Sequence, residues 1–143
     1  MRKQGRLHRT IEIDVAFHDV DLMSVVWHGH YLKYMENARW ALMDDIGYGF
    51  ADMVGSGYLW PIVDTHLRFI RPARFGERIA VTASLVEWDS RLVVNYLVAD
   101  ARSGARVARG QTVQVAVDGA SGEMQFRCPA DFRDRIATAL AAD

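Results

Sequence analysis

Residues 31–46 read YLKYMENARWALMDDI, and this stretch decides the fold class. Apolar side chains recur in it every three or four residues, as on one face of an α-helix. The stripe consists of Tyr31, Met35, Ala38, Leu42 and Ile46, and it is widened by Leu32, Trp40 and Met43. Gly47 is a favourable stop, because glycine readily adopts the left-handed conformation found just past a helix end. We therefore predict one long, mostly enclosed helix over residues 31–46.

Most of the remaining chain has the composition and alternation of β-strands. The predicted elements are strands at Thr10–Phe17, Trp60–Ile70, Arg78–Glu87, Leu92–Ala101 and Ala105–Val117, a structured loop over residues 18–30, and a last helix at Pro129–Leu140. Short connections make the later strands antiparallel neighbours, since a parallel crossover needs about a dozen residues or more. We predict a single α+β domain over residues 1–143, with an antiparallel sheet packed on the long helix.

Composition excludes several classes of function. The 143 residues carry 17 Lys+Arg and 18 Asp+Glu, a net charge of −1, so no overall positive field favours a nucleic acid. One cysteine, Cys128, excludes an intrachain disulfide and a cysteine-based zinc site. No signal-peptide core follows the basic residues 1–6, and no apolar run could cross a membrane. We expect a cytoplasmic protein without membrane or nucleic-acid partners.

The loop before the long helix holds residues that could carry chemistry. Asp19 and Asp21 are two residues apart, and His28 and His30 lie just before the start of the predicted helix. The first turn of a helix offers unpaired N–H groups and a partial positive charge, which polarise a carbonyl placed there. A carboxylate beside that carbonyl could attack it or activate a water molecule. The pattern therefore suits acyl transfer.

Simpler roles remain open for the same residues. Loop aspartates commonly cap turns through their own side chains. His28 and His30 could bind a metal, although no further ligand falls at a recognisable spacing. Glu36 and Arg39, three residues apart, could form a surface ion pair, and tryptophans pack more often in cores or interfaces than against substrates.

Two linked motifs give the chain a resemblance to a known family. Residues 17–31, FHDVDLMSVVWHGHY, are followed by Leu32-x-Tyr34-x-Glu36-x-Ala38-Arg39. Together they resemble the signature of hot-dog fold thioesterases of the 4-hydroxybenzoyl-CoA type, a family that includes short-chain acyl-CoA thioesterases associated with the Tol–Pal system. The similarity continues through Trp60–Val63, Phe75–Glu77, Glu87-Trp88 and Pro129–Phe132.

The resemblance implies a fold, an activity and an assembly. The fold is an antiparallel sheet wrapped around one long central helix. The activity is hydrolysis of acyl-CoA or aryl-CoA thioesters to a carboxylic acid and free CoA, with neither cofactor nor metal. The assembly is a homodimer or homotetramer with active sites at the subunit interface. A dimer is also the default expectation for a sheet with an uncovered edge, because edge-to-edge pairing with a second copy is one way to protect it.

The resemblance also assigns roles to individual residues. Asp21 falls on the catalytic carboxylate, as nucleophile or general base, and the backbone N–H of His28 would bind the thioester oxygen. Asp19 would support the loop. The predicted substrate-binding residues are Ser24, Val26, Trp27, Tyr31, Glu36, Trp60 and Arg91. Arg91 would meet the phosphates of CoA, with Arg127 as a second candidate.

Two positions leave the identity of the acyl or aryl group undecided. Ser24 stands where the family usually has glycine, so acyl selectivity is in doubt if that position needs a positive φ or a close approach. Glu36 matches an acid that holds a ring hydroxyl in the hydroxybenzoyl enzyme, but glutamate also occurs there with other substrates. The alternatives are a thioesterase acting on acyl carrier protein, a hot-dog dehydratase, and a non-catalytic protein that binds acyl thioesters.

Overall fold

In the computed structural model, which describes residues 7–142, one long helix packs against a five-stranded antiparallel sheet. The elements in chain order are β1 His8–Asp14, α1 His30–Ile46, α2 Phe50–Gly55, β2 Tyr58–Leu59, β3 Ile62–Phe69, β4 Arg78–Glu87, β5 Leu92–Asp100, β6 Arg106–Gln114, β7 Val117–Asp118 and α3 Ala130–Ala142. The sheet order is β1-β4-β5-β6-β3, and β2 pairs with β7 separately. The predicted α+β architecture is confirmed. Residues 1–6 and 143, part of the predicted domain, lie outside the described range.

Helix α1 begins one residue before its predicted start and ends where predicted. Gly47 caps it with φ 84°, in the left-handed region that favours glycine. All five residues of the predicted stripe are buried, whereas Leu32, predicted to widen the stripe, is 39% exposed. None of the helices in residues 7–142 combines the length and apolar character needed to span a bilayer.

The contact between α1 and the sheet depends on a glycine in β6. A Cβ at Gly110 would lie 2.9 Å from the carbonyl oxygen of His66 and 3.1 Å from the sulfur of Met35. Because glycine lacks that atom, α1 lies close to the strand. Tyr34 and Met35, neighbouring residues of α1, are fully buried.

Several predicted boundaries differ from the structure for identifiable reasons. The first strand ends at Asp14, and Phe17 starts a short 3-10 helix with its ring 76% exposed, so it does not share the buried face. The predicted strand from Trp60 is interrupted at Pro61, which has no N–H to donate to a ladder. Helix α2 was not predicted, because six residues are too few to show a clear period.

Candidate active site

The loop before α1 contains a tight hairpin that presents Asp21. The N–H of Asp21 donates to the carbonyl of Val25 (2.9 Å), and the N–H of Ser24 donates to the carbonyl of Asp21 (3.0 Å). Ser24 has φ 62°, the left-handed conformation that glycine adopts most easily. A positive φ was one possible reason for the family's glycine at this position, and Ser24 does have a positive φ in the structure. Serine costs about 1 kcal/mol in this conformation.

The carboxylate of Asp21 is partly engaged within its own turn. Its Oδ1 accepts the backbone N–H of Met23 at 2.8 Å, which is the turn-capping role that loop aspartates commonly have. Its Oδ2 has no hydrogen-bond partner among residues 7–142. The turn therefore orients the carboxylate and leaves one oxygen for chemistry.

Asp19 ties this loop to α1. Its carboxylate, 4% exposed, accepts hydrogen bonds from Lys33 Nζ (2.7 Å) and from the Tyr34 hydroxyl (2.8 Å). Burial alone would raise the pKa of Asp19, but these hydrogen bonds and the charges of Lys33 and His30 outweigh it and hold the pKa below its ordinary value. The resemblance implied that Asp19 supports the loop, and in the structure its hydrogen-bond donors are two side chains of α1.

The entrance to α1 offers unpaired donors. Within residues 7–142, the N–H groups of His28 and Gly29 make no hydrogen bond, as expected just before the first helical turn. The indole of Trp27 lies over Gly29, where a Cβ would come within 2.2 Å of the ring. Trp27 also contacts the rings of His28 and His30, at centroid distances of 5.0 and 5.3 Å.

A cavity of about 340 Å³ joins these elements. Its lining includes five predicted site residues, Asp21, Val26, Trp27, His28 and Tyr31. Ser24 belongs to the adjoining turn. Val25 and residues 69–72 complete the lining and were not predicted. Residues 71–72 belong to an Arg-Pro-Ala-Arg run in the connection between two predicted strands.

Tyr31 connects the two sides of this cavity. Its hydroxyl accepts the backbone N–H of Ala73 at 3.1 Å, and its ring lies 5.6 Å from that of Phe69. Burial raises the pKa of Tyr31, although the hydrogen bond from Ala73 opposes that shift. The phenol therefore stays neutral near pH 7 and holds the segment after β3 against α1.

Glu36 and Trp60, also predicted to bind substrate, lie in a second cavity of about 320 Å³. Arg39, Trp40, Phe50 and Gln114 are among its other lining residues. Arg39 forms the i, i+3 ion pair with Glu36 that the spacing allowed, at 3.8 Å. The Glu36 side chain is 57% exposed, whereas that of Arg39 is only 8% exposed, so the pair lies at the edge of the interior. Within one chain, the structure does not bring Glu36 and Trp60 to Asp21.

The arginines predicted for the CoA phosphates lie apart from both cavities and are engaged elsewhere. Arg91 Nε donates to Glu87 at 3.1 Å, and Arg127 donates to Asp89 at 2.7 Å. The hydrogen bond from Arg127 lowers the pKa of Asp89. Neither arginine lines a cavity described above.

Neither an activated thiol nor a metal-binding group is found in residues 7–142. Cys128 is buried, and burial raises the pKa of its thiol to about 12, so the nucleophilic thiolate is scarce near pH 7. In the described part of the chain, no three His, Cys, Asp or Glu side chains are arranged to hold a metal ion.

Comparison with known proteins gives consistent matches. The family model of the thioesterase-like superfamily matches residues 15–140. The chain is 32% identical over 133 residues to sll0410 of Synechocystis sp., provisionally named an esterase, covering 88% of this chain and 76% of that protein. It is 39% identical over 70 residues to YneP of Bacillus subtilis, provisionally named an acyl-CoA thioesterase, covering 49% of this chain and 51% of that protein.

A solved structure shows the same fold. Slr0204, a 1,4-dihydroxy-2-naphthoyl-CoA thioesterase from Synechocystis, matches with a TM-score of 0.81 and 22% sequence identity. The match covers 91% of this chain and 96% of that one. This likeness confirms the predicted hot-dog fold.

Proposed function

We propose that this chain, which belongs to the thioesterase-like superfamily, hydrolyses CoA thioesters to a carboxylic acid and free CoA. One observation carries the proposal: a single cavity contains both Asp21 and His28, whose backbone N–H is unpaired in the described chain. A thioester carbon placed there has a negative oxygen on one side and hydrogen-bond donors on the other. The 4-hydroxybenzoyl type and the identity of the acyl group stay predictions.

In the proposed reaction Asp21 acts through Oδ2, because Oδ1 already accepts the N–H of Met23. As a general base, it takes a proton from the water that attacks the thioester carbon, and the C–S bond then breaks to release the thiol. As a nucleophile, it forms a mixed anhydride as the thiolate leaves, and water hydrolyses the anhydride. Both routes consume one water and give the same acid and thiol.

On the other side of the reacting carbon, the start of α1 supplies hydrogen-bond donors and a partial positive charge. The N–H groups of His28 and Gly29 would donate to the thioester oxygen, where negative charge develops in the transition state. The dipole of this 17-residue helix adds a partial positive charge at the same place. The exposed imidazole of His28 would orient the attacking water or the carbonyl.

The edge strand β3 supports the predicted homodimer. It pairs only with β6 within the sheet, and seven of its eight residues are exposed. Exposed edges with apolar residues such as Ile62, Val63 and Phe69 are normally covered, because their free backbone groups invite another strand. We therefore propose that β3 pairs with β3 of a second copy.

Charge and cavity positions favour one register for this pairing. Antiparallel pairing centred on His66 places Arg68 opposite Asp64 of the partner subunit, joining opposite charges on one face. It also brings Ile62, beside the second cavity, near the partner's Ile70, beside the first. Within one chain these two residues are about 25 Å apart along the strand. The proposed dimer thus joins the Asp21 cavity to the partner's cavity containing Glu36 and Trp60.

A charge exchange tests this register. In the proposed dimer, Asp64→Arg places an arginine of each subunit opposite Arg68 of the other subunit. Because these like charges repel at two symmetry-related positions, we expect the variant to weaken dimerisation at least about tenfold. The double variant Asp64→Arg/Arg68→Asp restores opposite charges and should restore the dimer. Light scattering coupled to size-exclusion chromatography measures the mass. A single variant that remains fully dimeric, or a double variant that does not recover, would contradict the register.

Hydrolysis of a panel of thioesters tests the function. Wild-type protein should release free thiol from acyl- and aryl-CoA esters of graded size, with multiple turnovers. Each acyl group is also presented on acyl carrier protein, and faster hydrolysis there would favour the carrier-protein alternative. Tight binding without thiol release over hours would indicate a binding protein, and loss of water from a 3-hydroxyacyl thioester would indicate a dehydratase.

A further inference from the structure

The side chain of Trp27 is 50% exposed, yet it is held in place from several sides. Its backbone N–H donates to the carbonyl of Asp19 at 3.0 Å, and its own carbonyl accepts the N–H of His30 at 2.9 Å. Its indole contacts the rings of His28 and His30, at centroid distances of 5.0 and 5.3 Å. The indole therefore has a defined position although it does not belong to the hydrophobic core.

Gly29 provides the space that the indole occupies. The backbone of Gly29, with φ −68° and ψ −21°, has an ordinary helical conformation that any residue adopts. Glycine is therefore not required here by the backbone. A Cβ at this position would, however, overlap three carbon atoms of the Trp27 ring. The missing side chain thus allows the indole to lie directly on the start of α1.

The indole lies beside the hydrogen-bond donors at the start of α1. Trp27 and His28 both line the Asp21 cavity, and the N–H groups of His28 and Gly29 have no partner within residues 7–142. A hydrogen bond to a developing negative charge is stronger where water is excluded, because water would screen the charge. A bulky apolar ring at this position suits the exclusion of water from these donors.

We infer that Trp27 keeps water away from the hydrogen bonds between the start of α1 and the thioester oxygen, and that Gly29 is a positioning residue that acts through the indole. This inference rests on the proposed thioesterase function. The charge on the oxygen develops only as the carbonyl is attacked, so excluding water stabilises the transition state more than the bound substrate. This role acts on kcat, whereas a contact that only binds substrate would act on KM.

The substitution Gly29→Ala tests this role without removing the indole. The added methyl group displaces the ring, and we expect kcat for the best CoA thioester of the panel to fall about tenfold. KM should change less than about threefold. Gly55→Ala is the matched control, because Gly55 is the last residue of α2 and a Cβ there would enter open space. The control should leave both constants unchanged.

A second pair of variants shows whether Gly29 acts through the indole. Trp27→Ala should also lower kcat about tenfold. In that background Gly29→Ala should have no further effect on kcat, because the ring that it displaces is absent. An equal fall in both backgrounds would overturn the inference, as would an unchanged kcat in Trp27→Ala or a change confined to KM. Circular dichroism and thermal unfolding check that each variant is folded.

Amide exchange tests the exclusion of water without turnover. In wild type, the N–H groups of His28 and Gly29 should exchange with water at least about tenfold more slowly than in Trp27→Ala, as measured by NMR. Equal exchange rates in the two proteins would contradict the shielding role. If the wild type hydrolyses no thioester of the panel, the proposed function fails, and the exchange rates still decide whether the indole shields these donors.

Discussion

Replacing Asp21 by asparagine is expected to lower kcat for CoA thioester hydrolysis about a thousandfold. Asparagine retains an oxygen that can accept the N–H of Met23, so the turn should keep its shape. It removes the negative charge that would activate water or attack the thioester carbon. Because the acyl group and CoA still have their contacts, KM should change far less than kcat. Steady-state release of free thiol measures both constants.

A charge-matched control separates catalysis from a general effect of charge. Asp134→Asn removes one carboxylate from the exposed side of α3 and should leave kcat within about twofold of wild type. Circular dichroism and thermal unfolding check that both variants fold. If Asp21→Asn hydrolyses thioesters at a rate close to that of wild type, Asp21 is not the catalytic carboxylate.

Replacing Asp19 by alanine is expected to lower the free energy of unfolding by about 3 kcal/mol. The substitution removes the buried acceptor of both Lys33 and Tyr34, and the Tyr34 hydroxyl then has no partner in the interior. For a domain of this size, the melting temperature should fall by about 10 °C. Chemical denaturation gives the free energy, and differential scanning calorimetry gives the melting temperature.

The effect of Asp19 should also depend on pH. The folded protein holds the pKa of Asp19 below its ordinary value, so the unfolded chain binds this proton more readily. The stability that Asp19 contributes is therefore fully present above about pH 4 and is lost as the pH falls through the lower folded pKa. The difference between wild type and Asp19→Ala should shrink in acid.

Tyr34→Phe is the matched control for this prediction. It removes one of the two hydrogen bonds and keeps the ion pair between Asp19 and Lys33. We expect it to cost about 1 kcal/mol and to retain most of the pH dependence. A difference between Asp19→Ala and wild type that grows in acid would contradict the assigned role of the carboxylate.

Features that depend on neighbouring residues were predictable from the sequence. The period of residues 31–46 predicts α1, and Gly47 predicts its end, because both depend on local backbone preferences. The motif around Asp21 likewise predicts a carboxylate beside a helix start, and both line one cavity. The exposed ring of Phe17 was not predictable, since the turn that displaces it interrupts the alternation of the strand.

Residues that reach the site from distant parts of the chain were not predictable in the same way. Residues 69–72 line the cavity only because β3 pairs with β6 and the Tyr31 hydroxyl accepts the N–H of Ala73. The N–H of Arg71, one of these lining residues, donates to the carbonyl of Val107, which lies more than 30 residues further along the chain.

The amino-acid sequence by itself determined the helix, most of the strands and the loop that presents Asp21 beside α1. Their causes are local: side-chain periodicity selects the buried face, and glycine selects the turns. Only the tertiary structure decided that Glu36 and Trp60 share a different cavity from Asp21, and that Arg71 lines the Asp21 cavity. The reason is that strand pairing and helix packing, which act between residues far apart in the chain, set which side chains meet.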